Sequence, residues 1–137
     1  MASITQIKLR LVTGNRADAS SDGDVFLGVA GREFNVDSHD TDYNDFQQGD
    51  DRTYIFGEGA NVLRPQENDP RSPWQTDFAN LRLSPRYVRF EPGRGGDWNL
   101  ERVDLTVVYQ GGSAQWIQLE GSAHLWLGES RGKFLYL

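Results

Sequence analysis

The sequence contains no cysteine. That absence excludes a disulfide framework, a thiolate metal centre and a cysteine nucleophile together, so any metal must be held by oxygen or histidine. Histidine is scarce too: only His39 and His124 occur, and a lone histidine is more often a surface or packing residue than a base. Long apolar runs are missing. None approaches the ~20 residues needed to cross a bilayer, and the opening "MASITQIKLRLV" alternates where a secretory signal would be continuously apolar. The expectation is a cytoplasmic protein without a transmembrane segment, or one exported by a route the chain does not display. Basic charge is in deficit, with 14 Lys and Arg against 20 Asp and Glu and a net charge of -6. Phosphate backbones are bound through Lys and Arg, so nucleic acid is not an expected partner.

Catalytic signatures are equally sparse. No G-x-S-x-G elbow occurs. The glycine-rich "GRGGDW" precedes strand-like text, so it lacks the helix N-terminus that would point amides at a phosphate. Carboxylate pairs of the glycosidase kind are not decided by spacing, because they meet only in the fold. The chain reads as non-enzymatic.

What is present is period-two alternation. Ile7, Leu9 and Leu11 share one face of a first strand, with Lys8 and Arg10 on the other. "DVFLGVAG" and "REFNV" predict a second and third strand joined by a turn at Gly31, and "RTYIF" a fourth. The proline-rich text 57–83 reads as surface loop with one short helical turn near "PWQTDF". Strands then return in "RYVRFEP", "LERVDLTVVY", "AQWIQLEG", "AHLWLG" and "GKFLYL", separated by glycine turns. Eight or nine short, regularly spaced strands in 137 residues predict one all-β domain, an antiparallel β-sandwich of two sheets. A buried parallel sheet would show continuous apolar strands instead.

Two aspartate-rich loops punctuate this pattern. One is "DASSDGD", Asp18 to Asp24; the other holds Asp40, Asp42, Asn44, Asp45, Asp50 and Asp51. Loops of this kind supply the six to eight oxygens that Ca²⁺ takes. They are also what turns use to satisfy their own backbones. Neither is an EF-hand, since Val29 stands where the closing glutamate belongs in the first and Asp45 where the turn glycine belongs in the second.

The segments "VTGNRADASSDGDVFLGVAG", "YNDFQQGDDRTY" and "GDWNLERVDLTV" occur in an order that resembles the PLAT domain, the β-sandwich module of polycystins, lipoxygenases and alpha-toxin-like lipases. The likeness runs from about Ile4 to Leu127, leaving the loop 57–83 and the tail 128–137 as additions. It implies eight antiparallel strands in two sheets, and a calcium site drawn from Asp22, Asn44, Asp45 and Asp97, with Ser20 or Ser21 giving carbonyl oxygen. Lipoxygenase-type turns often continue N-D-F-E. Here Gln47 follows Phe46, so one anionic ligand becomes a neutral amide and calcium affinity should fall. Phe46 is expected to pack beneath the site, and Trp98 in the core.

The resemblance further implies docking to a membrane through exposed aromatics at loop tips, with calcium offsetting anionic headgroups. Arg16-Ala17-Asp18 stands where membrane-seeking relatives carry a tryptophan, which leaves Trp74 as the substitute. A protein-interaction or purely structural module is the second reading. Carbohydrate binding is a third, with Trp116 and Trp126 as platforms because each is out of phase with its apolar strand neighbours. The leading expectation is a non-enzymatic calcium-binding module for a protein or lipid surface.

Overall fold

The computed structural model describes residues 3–40, 42–72, 78–119 and 125–137. Among them the chain forms β1 (Ile4–Thr13), β2 (Asp24–Val29), β3 (Arg32–Val36), β4 (Asp51–Gly57), α1 (Phe78–Leu83), β5 (Tyr87–Glu91), β6 (Trp98–Tyr109), β7 (Gly112–Gln118), β8 (Leu125–Leu127) and β9 (Phe134–Tyr136). The strands pair antiparallel in two sheets. One has the order β4-β1-β6-β7, with β8 also on β6, and the other the order β3-β2-β5-β9. This is the all-β sandwich that the alternation predicts.

Its core follows from that alternation. Ile7, Leu9 and Leu11 on β1 are buried, as are Val25, Leu27 and Val29 on β2, Tyr54 and Phe56 on β4, Val88 and Phe90 on β5, and Val103, Leu105 and Val107 on β6. Inward residues of the two sheets meet at rings such as Phe34 and Phe56, 5.5 Å apart. The turn between β2 and β3 places Ala30 at φ 55° and Gly31 at φ 82°, the two positive angles of a type I′ hairpin whose twist matches the strands. On its edge away from β1, β6 serves two partners: Trp98 to Leu100 pair with β8, and Val103 to Tyr109 with β7.

The segments expected as additions contribute to the second sheet. β9, in the tail, pairs along β5. On the opposite edge, the long loop is clamped to β3. Arg32 donates to the carbonyls of Asp69 at 2.7 Å, Glu67 at 3.0 Å and Ser72 at 3.2 Å, while the Asn68 side-chain oxygen accepts from the Asn35 N–H at 2.8 Å. These contacts occupy an edge that would otherwise offer free backbone groups to another strand. The helix lies just after the expected turn, since α1 begins at Phe78 and residues 73–77 are outside the described set.

The loops joining β1 to β2, β3 to β4, β5 to β6 and β8 to β9 all emerge at one end of the sandwich, because antiparallel pairing brings the end of β1 beside the starts of β4 and β6, and the start of β2 beside the ends of β3 and β5. Trp98 closes the core beneath them. It is fully buried, its ring lies 5.2 Å from Phe46 and 5.6 Å from Phe90, and its Nε1–H donates to Thr13 Oγ1 at 2.9 Å. Trp98→Ala should therefore lower the unfolding free energy by about 3–5 kcal/mol through cavity formation. Thr13→Val, which keeps volume but strands the indole N–H, should cost about 1–3 kcal/mol, and urea titration of the parent and both variants measures the two losses.

Candidate functional site

The loop end is assembled by a few backbone and hydroxyl contacts. Phe46 adopts φ 62°, a left-handed conformation uncommon for a bulky residue, and its carbonyl accepts from the Ser21 N–H at 3.1 Å. The Ser21 hydroxyl accepts from the Gly23 N–H at 3.1 Å and lies 3.1 and 3.0 Å from the carbonyls of Gly95 and Gly96, to which it donates. A Cβ on Gly95 would stand 2.4 Å from the Gly23 nitrogen, so only glycine permits this approach. Ser20 Oγ accepts from the Gln48 N–H at 2.6 Å. The loops carrying residues 18–24, 44–50 and 93–97 thus converge, and Phe46 packs under them as expected.

The side chains nominated for calcium are nevertheless divided between two cavities. The first, of about 430 Å³, is lined by Asp22, Asp24, Asp37, Asn44 and Asp45 among others. The second, of about 580 Å³, is lined by Asp18, Ser20, Asp97, Trp126 and Arg131. Ser21, held to Gly95 and Gly96, is the seam between the two loops. Each nominated acid already has a donor from the chain. Asp45 accepts from Ser38 Oγ at 2.5 Å, the Ser38 N–H at 3.1 Å and the Tyr54 hydroxyl at 2.6 Å. Asp97 pairs with Arg131 at 3.0 Å. Asp22 accepts from the Gln47 amide at 3.2 Å. Among the described residues no group of three or more His, Asp and Glu side chains is arranged to hold a metal ion. Calcium needs several oxygens turned on one point, and these carboxylates are turned on separate protein donors. The residues as arranged do not fit a shared calcium cage.

The partner-contact tryptophans are also separated. Trp126 belongs to the loop end, where the Arg131 guanidinium lies 5.1 Å over its ring. Trp116 sits on the edge strand β7 opposite Leu105, half-buried, with the Arg86 guanidinium 4.5 Å over its ring. Trp74 lies outside the described residues.

Sequence reasoning does not single out Asp37, Ser38, Tyr54 or Arg131. Asp37 sits beside Asp45 in the first cavity. Burial, and then a hydrogen bond and repulsion from the Asp45 carboxylate, raise its pKa, against weaker opposing pulls from the Ser38 backbone and Arg64. Tyr54 is held protonated by burial and by its bond to Asp45. Arg131 stands in the tail that the resemblance sets aside, so no motif points to it.

No family model matches this sequence, and no curated protein matches it. Among solved structures the fold is similar to the Alpha Toxin from Clostridium absonum, at 17% identity and a TM-score of 0.56, over 99% of this chain and 32% of the toxin. The chain spans about a third of that toxin's length, and the likeness shows the fold.

An acid that binds its proton more tightly when folded stabilises the protein fully below its unfolded pKa, here the ordinary 3.8, and loses that contribution as pH rises through the folded value. Asp37→Asn removes the charge that is unfavourable at neutral pH. The variant should melt above the parent at pH 7, by roughly 2–5 °C, and the difference should shrink towards zero as the pH is lowered past the ordinary aspartate range. Calorimetric melts across that range measure it.

Proposed function

We propose that this chain is a non-enzymatic β-sandwich module of the PLAT kind that docks through its loop end onto a partner surface, with a protein bearing Lys and Arg side chains as the favoured occupant. The observation that carries this reading is the first cavity, where Asp22, Asp24, Asp37 and Asp45 come together at exposed or half-buried positions in the loops and at the start of β2. A concave surface of one sign selects partners of the opposite sign and speeds their encounter. The net charge of -6 acts in the same direction.

A lipid surface is the second reading. It rests on the resemblance and on Trp126 beside Arg131 in the neighbouring cavity, an indole and a guanidinium suited to an interface. Against it stands the same acidity, because an anionic leaflet at roughly -30 mV repels carboxylates unless calcium cancels them. Sugar stacking on Trp116 or Trp126 has to compete with the guanidinium already lying over one face of each ring.

Vesicle sedimentation separates the readings. In chelator the protein should stay in the supernatant with anionic phosphatidylserine vesicles, and titration with a lysine-rich peptide should quench or shift tryptophan emission in a salt-dependent way, with Asp24→Asn weakening the response. Sedimentation with anionic vesicles that needs calcium and is lost in Trp126→Ala would establish the lipid reading instead.

A further inference from the structure

The Gln47 side chain occupies an unusual position. Its amide nitrogen lies 3.0 Å from the Asp45 carbonyl, 3.2 Å from Asp22 Oδ1 and 3.5 Å from the Ser21 carbonyl. All three are acceptors without a proton to give, and they come from two different loops. An amide oxygen placed there would face only lone pairs, so the surroundings themselves require the nitrogen. The residue is located from both sides: its own N–H donates to Asp50 Oδ2 at 2.9 Å, and the preceding Phe46 is anchored on Trp98.

Oxygens converging on one point from two loops are what a cation takes, and here a tethered neutral donor sits among them. We infer that Gln47 is a built-in replacement for a divalent cation, an amide latch that joins the β1–β2 loop to the β3–β4 loop and makes the loop end independent of calcium. The same substitution of chain for metal recurs at the other nominated acids. Arg131 answers Asp97, and Ser38 with Tyr54 answers Asp45. Each of the three nominated carboxylates, Asp22, Asp45 and Asp97, thus meets a donor of the protein. A glutamate at position 47 would reverse this, since it would bring a further negative charge to Asp22 and Asp50 and withdraw the donor. A cation would then be needed to take the place of the lost donor, beside the Ser21–Phe46 and Ser20–Gln48 contacts that still tie the two loops.

Thermal melts of the whole chain in calcium chloride and in EGTA test the latch, with no partner present, so their outcome is separate from that of the docking reading. The parent protein should melt at the same temperature in both. Gln47→Glu should melt lower in EGTA, by about 3–6 °C, and recover in calcium. Gln47→Ala should lose stability equally in both, which distinguishes loss of the latch from gain of a metal site should the glutamate variant fold poorly. Stabilisation of the parent by calcium, or a saturable one-to-one heat on titrating it with calcium chloride, would overturn the inference. So would a Gln47→Glu variant that melts like the parent in EGTA, or one that calcium does not restore.

Discussion

The packing of Trp98 is the contact on which the rest depends. It opens β6 in one sheet, meets Phe90 from β5 in the other, carries Phe46 from the β3–β4 loop on its ring, and ties its indole N–H to Thr13 at the end of β1. A single buried side chain thereby joins both sheets and the longest acidic loop. Large aromatics contribute more apolar area per residue than any other type, and a buried indole must also find an acceptor. Satisfying both demands at one place sets how high the loops stand above the core.

From that anchor the left-handed Phe46 follows. Its ring is drawn down to Trp98, while its carbonyl turns to Ser21 and the next residue, Gln47, is thrown toward Asp22. The strain of a positive φ is tolerated because packing and hydrogen bonds over-determine it. The core and the loop end are therefore one mechanical unit, and the polar contacts above inherit their geometry from the apolar contact below.

Electrostatics then divides the acids into two groups. Some are neutralised within the chain, such as Asp97 by Arg131 and Asp51 by Arg10, whose guanidinium holds the Asp51 carboxyl below the usual carboxylate range. Asp37 differs from these: its pKa is raised by burial and by the neighbouring Asp45 carboxylate. The first group makes structure. Asp37 faces the first cavity together with Asp22, Asp24 and Asp45, and that concentration of acids is where the docking reading rests.

Much of the architecture was legible along the chain. The alternation of Ile7, Leu9 and Leu11, the Gly31 hairpin and the glycine punctuation of the later strands report local physics, since side chains alternate across a strand and only certain residues accept positive φ. The convergence of the acidic loops and the burial of Phe46 and Trp98 were legible as well. The allocation of each carboxylate to a partner was not, because a hydrogen bond depends on which donor the fold brings within about 3 Å. Arg131 reaches Asp97 from the tail, Tyr54 reaches Asp45 from the next strand, and Ser21 draws Gly95 and Gly96 across from another loop. The sequence alone thus determined the sandwich and which loops would carry its acids; tertiary structure alone decided how those acids divide between two cavities and that Asp22, Asp45 and Asp97 would be held by the protein's own donors, since charge is settled by neighbours in space and not by spacing along the chain.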